Sequence, residues 1–107
     1  MLGSVLDIST ADDGSVVICP HGAGDSVCGA ELRLALVHLL RRVRPMVLIV
    51  DLCDLPEPDP FHVGSVAAAC VLGDEHQVLV VVRSPSGAVT DRLTAAGVPR
   101  QRVNPVL

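Results

Sequence analysis

The sequence predicts an α/β fold in which a mixed sheet of four to five strands carries three or more packed helices. Three observations lead there. Val47 to Val50 and Val78 to Val82 are unbroken apolar runs, short enough for strands and bounded by turn-forming residues. Ahead of the first run, Leu32, Leu36, Leu39, Leu40 and Val43 recur at the three- and four-residue spacing of a helix face. Nearer the start, Asp12-Asp13-Gly14 separates two short β-prone segments, the signature of a hairpin.

In chain order, Ser4 to Ile8 reads as a short edge strand and Ser15 to Cys19 as its hairpin partner. Asp25 or Ser26 then caps a helix that runs to about Val43. Glu31 near its start and Arg41, Arg42 and Arg44 at its end suit the helix dipole, and Pro45 stops it. Met46 to Leu52 is the next strand, its continuous apolar run being the pattern of a central strand covered on both faces. Asp59-Pro60 starts the second helix: a carboxylate able to cap free N–H groups, then proline at the first helical position. Val63, Val66, Ala67 and Cys70 form one face of it, and Ala67, Ala68 and Ala69 are small enough to let it lie close to the sheet. Gly73 is its expected terminator, followed by a polar turn at Asp74-Glu75-His76. Gln77 to Val82 is the second strongly apolar strand. Ser84-Pro85-Ser86 opens a last helix with Val89, Leu93 and Ala96 on one face, ended by Gly97. Arg102 to Val106 returns as a terminal strand that Pro105 confines to a sheet edge. The resulting order, β-β-α-β-α-β-α-β, calls for right-handed strand-helix-strand crossovers.

The 107 residues are read as one domain, 1–107, with half of the chain apolar and enough length for a single core. With no Trp or Tyr, that core is built from Val, Leu, Ala and Ile. A net charge of −4 offers no general attraction for nucleic acid or anionic lipid. No apolar stretch is long enough to span a bilayer, and MLGSVLDIST lacks the basic start and apolar core of a secretory signal. Cys19, Cys28, Cys53 and Cys70 show no C-x-x-C pairing, so reduced thiols in a cytoplasmic protein are expected.

Catalytic and metal chemistry find little support in the pattern. The loop PHGAGD, Pro20 to Asp25, lacks the phosphate-cradling G-x-x-x-x-G-K arrangement, and the chain contains no lysine to serve it. No nucleophile elbow is present, and Glu31 and Asp25 would need a cleft to act as acid and base. Cys19 and His21, two residues apart, could ligate zinc with Cys28 or His62, but no second close-spaced pair supports this. Asp51, Asp54, Glu57 and Asp59 offer oxygen ligands without the spacing of a calcium loop and read as a solvated acidic loop. No enzyme activity, cofactor or metal is expected.

The stretch that draws attention is DLCDLPEPDPFHVG, Asp51 to Gly64, an acidic, proline-stiffened loop from the carboxyl end of a strand into a helix. Open α/β sheets place their working surfaces at such ends. It carries Phe61, the only aromatic residue of the chain, which either folds into the core or stands out as an apolar knob.

Taken together, these segments resemble the STAS family of anti-sigma factor antagonists over nearly the whole chain. GAGDSVCGAELRLAL, Gly22 to Leu36, is similar to the family's G-x-x-D-x-x-x-x-x-x-L-R-x-x-L segment. Arg44-Pro45 with MVLIVDLCDL resembles the strand ending in D-L-S-x-V, and VLVVVRSPSGAVTDRLTAAGV the closing strand and helix. Asp59 falls where the family has D-S-S-G or D-S-T-G.

The resemblance implies a STAS-like sheet and a non-catalytic domain that binds a protein partner, an anti-sigma factor with serine kinase activity. In regulated relatives the partner phosphorylates the first hydroxyl residue after the aspartate. Here that position is Pro60, the next is Phe61, and His62 replaces the family glycine, so the standard switch is absent. Ser65, one turn on, is a substitute acceptor or a small packing residue. The expected partner-binding residues are Asp25, Pro58, Asp59, Pro60, Phe61, His62 and Gly64. The alternative is a STAS-type adaptor subunit of a larger assembly such as a lipid-transport ABC system.

Overall fold

A computed structural model describes residues 6–21, 26–55 and 57–105, with the backbone alone at 26–28 and 105. Strand β1 (Leu6–Thr10) and strand β2 (Val16–Pro20) form the hairpin, pairing antiparallel with Ile8 opposite Ile18. Helix α1 (Ser26–His38) leads to β3 (Val47–Asp51), α2 (Pro60–His76) to β4 (Leu79–Ser84), and α3 (Gly87–Ala95) to β5 (Val103–Pro105). The five strands stand in the order β1-β2-β3-β4-β5, and every pair from β2 onward is parallel. This is the mixed sheet with helices that the sequence predicts.

Strand order decides which face of the sheet is covered. Each step from β2 to β5 goes to the next strand on the same side, so right-handed crossovers place all three helices on one face. Burial follows that rule. Ile18, Leu48, Val50, Val80, Val82 and Val103 lie under the helices, at most 6% exposed. Cys19, Val47, Ile49 and Val81, pointing the other way, are half-buried, and Leu79 is exposed. The expectation that β3 is covered on both faces is therefore corrected. Its apolar residues alternate between a packed face and an open one.

Leu32, Leu36, Leu39 and Leu40 bring α1 and its continuation into the core, where they join Val63, Val66, Ala69 and Cys70 of α2. Val43 departs from the expected stripe and is exposed. The cause is a π turn over Leu39–Val43, in which Arg44 N–H donates to Leu39 O at 2.8 Å and the wider turn carries Val43 off the face. Of the three alanines expected against the sheet, Ala69 is buried, Ala67 half-buried and Ala68 exposed.

Gly73 does not end α2. The helix passes through it to His76, and Gln77 supplies the left-handed cap (φ 62°). The glycine is needed for space: a Cβ there would lie 2.7 Å from both Val78 O and Val80 Cγ2, where the chain doubles back into β4. Because the helix takes these residues, β4 starts at Leu79 rather than Gln77. In α3, Ser86 Oγ accepts from Val89 N–H, and Gly97 (φ 110°) closes the end while Val98 N–H returns to Leu93 O. Ala96, expected on the buried face, is exposed at that cap. At the outer edge, β5 pairs Pro105 with Ser84. No helix among the described residues is long and apolar enough to cross a membrane.

Candidate functional site

The loop from β3 to α2 is held by its apolar residues and by hydrogen bonds at both ends. Leu52 and Leu55 are fully buried, and Leu55 N–H donates to Leu52 O at 2.9 Å. Asp51 Oδ1 accepts from Cys53 N–H at 2.9 Å, and Oδ2 lies 3.6 Å from Arg83 on the neighbouring strand. At the far end the Arg92 guanidinium of α3 donates to the carbonyl of Pro58. That contact joins residues 34 apart, and no local pattern in the chain marks Arg92 for it.

Asp59 caps α2 as expected. His62 N–H donates to Asp59 Oδ1 at 2.9 Å, and the His62 ring closes the box with Nδ1 3.2 Å from Asp59 N. This explains why a histidine follows Phe61: its ring takes the place that Glu or Gln fills in other capping boxes. Asp59→Ala is expected to cost about 1 kcal/mol of folding stability, measured by chemical denaturation.

The predicted partner-binding residues separate into surface and interior. Pro60, Phe61 and Gly64 are exposed, and Asp59 is half-buried at their edge. His62 is 0% exposed and Pro58 is buried, so neither presents its side chain to a partner; both support the turn from within. Asp25 lies outside the described residues. Ser65 is 5% exposed, on the inner side of α2.

Phe61 combines the two alternatives its position left open. It is 40% exposed, and its inner side rests on α1 where Gly29 leaves room. A Cβ on Gly29 would sit 3.1 Å from the ring, so that glycine sets how close the ring lies. On the other flank, Pro60, Val63 and Gly64 of α2 face Arg92 and Ala95 of α3, with its capping residue Ala96, across a shallow groove. Helix α2 thus begins in an open face with an apolar ring on one side and a groove on the other.

The acidic residues of the loop go separate ways: Asp51 to Arg83, Asp59 to the cap, and Asp54 toward β2. There Cys19, His21 and Asp54 come together, with ligand atoms all within 4.8 Å of one another. Of the two further ligands considered beside Cys19 and His21, His62 does not join this group among the described residues. His62 is committed to the cap, and the Cys28 side chain lies outside the described residues. Asp7 raises the pKa of His21 by accepting a hydrogen bond from it. Burial, then Asp51 and Asp54, push the Cys19 thiol up to about 11; burial, then Asp51, do the same for Cys53. Alkylation of both at pH 8 is expected to run about tenfold slower than for an unperturbed cysteine, because a smaller thiolate fraction outweighs its greater nucleophilicity. Peptide-resolved labelling kinetics measure this.

No protein-family model matches the chain, and no curated protein matches it. Solved structures do. RsbS of Moorella thermoacetica superposes with a TM-score of 0.77 at 21% identity, over 97% of this chain and 87% of that one. The phosphorylated form of SpoIIAA, a Bacillus cell fate determinant, gives 0.77 at 15% identity over 95% and 91% of the two chains. A chain of the stressosome, described as a signal integration and transduction hub, gives 0.69 at 19% identity over 94% and 87%.

Proposed function

Because this chain has the fold of the STAS domain, we propose that it is a non-catalytic protein-binding domain of the anti-sigma factor antagonist type, with an anti-sigma factor of the serine-kinase class as its partner. SpoIIAA, a structural neighbour, is itself described as an anti-sigma factor antagonist. The surface that binds is the start of α2, with Phe61 as anchor, Pro60 and Gly64 beside it and Asp59 at the rim. The observation that carries this reading is the Phe61 ring, held against Gly29 and 40% exposed at a rigidly capped helix start. A ring fixed in place loses little freedom on binding, which is what makes aromatic anchors effective.

Contact through this surface is constitutive. A phosphoserine adds about −1.5 to −2 charges at a helix start, and such a change is what a kinase partner would use to break a complex. Pro60 has no hydroxyl to esterify, and the Ser65 hydroxyl is buried. Incubation with a cognate kinase and ATP is therefore expected to leave the intact mass unchanged. Stoichiometric phosphate on Ser65 would overturn the constitutive reading. Affinity capture from the native cytoplasm tests the partner class: an ATPase or transporter subunit in place of a kinase would assign the domain to an adaptor role.

A further inference from the structure

We propose that Cys19, His21 and Asp54 bind a zinc-class divalent ion, with Asp7 orienting the imidazole. The three donors come from two places in the chain, the end of β2 and the loop after β3, and meet at the carboxyl edge of the sheet. Asp54 Oδ2 lies 3.2 Å from His21 Nδ1 and 3.7 Å from Cys19 Sγ. Ligands at zinc distances of about 2.0 Å for N and O and 2.3 Å for S stand about 3.3 Å (N to O) and 3.5 Å (S to O) apart around a tetrahedron. The two spacings to Asp54 are therefore close to those of a loaded site, and Cys19 and His21 lie within 4.8 Å of each other. Parallel pairing is what aligns them: Ile18 faces Val50 in the register, so the chain leaving β2 and the chain leaving β3 emerge side by side.

The donor set chooses the ion. Thiolate, imidazole and carboxylate together suit zinc and its neighbours, whereas calcium and magnesium require oxygen throughout. The second layer is present as well. Asp7, opposite Cys19 on β1, is hydrogen-bonded to His21 Nε2, which directs Nδ1 toward Asp54, as carboxylates behind zinc-bound histidines do. Asp7 and Asp51 add negative charge near the thiol, and a dication compensates it. Binding replaces the Cys19 S–H bond with a sulfur–metal bond and releases one proton to solvent. Three protein ligands leave one position for water, since the side chains concerned are half-buried or exposed. The ion would tie β2 to the loop that leads into α2.

Titration of the reduced, full-length protein with Co2+, followed by competition with Zn2+, tests the site without any partner. The expected result is a thiolate-to-cobalt charge-transfer band that saturates at one equivalent and is abolished by Zn2+. Cys19→Ser should eliminate the band, His21→Gln, which removes a ligand, should weaken binding by more than about 100-fold, and Asp7→Asn by about 10–100-fold. Cys53→Ser and His76→Gln should leave it intact. A band absent at one equivalent, or one retained in Cys19→Ser and lost in Cys53→Ser, would overturn the assignment. Circular dichroism of each variant separates loss of the site from loss of the fold.

Discussion

Replacing Phe61 with alanine is expected to lower affinity for the captured partner by about 30-fold or more, while Phe61→Leu keeps most of it. An anchor ring at the centre of an interface is worth about 2 kcal/mol or more on truncation, which corresponds to that factor. Part of the ring is already buried against α1, so the same change should cost about 1–2 kcal/mol of folding stability. Gly64 keeps the two effects apart. A Cβ at Gly64 meets nothing within 4 Å, so Gly64→Arg is expected to leave the fold intact and to make the helix more stable by about 0.5–1 kcal/mol. It also puts a long cation next to the ring. Isothermal titration with the purified partner should show binding lost in Gly64→Arg although the protein is at least as stable. If Gly64→Arg and Phe61→Ala both bind as well as the parent, the surface lies elsewhere.

Gly73 on the same helix should respond in the opposite direction. Gly73→Ala is expected to destabilise the fold by about 1–2 kcal/mol, since overpacking of up to about 3 kcal/mol exceeds the roughly 1 kcal/mol that alanine returns in helix propensity. The added methyl would lie 2.7 Å from a backbone carbonyl and from Val80 Cγ2, and the carbonyl cannot move without shifting the entry to β4. Gly73→Val should cost about 3 kcal/mol or more and lower Tm by on the order of 15 °C. Thermal denaturation of the Gly64 and Gly73 variants side by side gives both signs in one experiment. Equal stability for Gly73→Val and the parent would mean that α2 and β4 are further apart than the structure has them.

Much of the candidate site was legible in the chain because its signals are local. Asp59-Pro60 specifies a helix start through one carboxylate and one fixed φ angle, and the structure has the cap at that residue. Phe61 stood out because no other aromatic competes with it. The orientation of His62 was not legible. Three residues past the cap, a histidine can point into solvent or turn back to the cap, and only packing beneath α2 selects the second. Gly73 misled for a related reason: a glycine that ends a helix and one that admits a neighbouring strand look the same in sequence.

Sequence alone determined the local elements: the order of strands and helices, where α2 and α3 begin, and that Pro60 and Phe61, neither with a hydroxyl, follow Asp59. These depend on spacing and on chemistry within a few residues. Tertiary structure decided which face of the sheet stays open, because that follows from a strand order advancing in one direction. It also placed Phe61 on Gly29, and it brought Cys19 and His21 to Asp54 across more than thirty residues. Contacts of that kind arise from register and packing between distant segments, and no spacing along the chain encodes them.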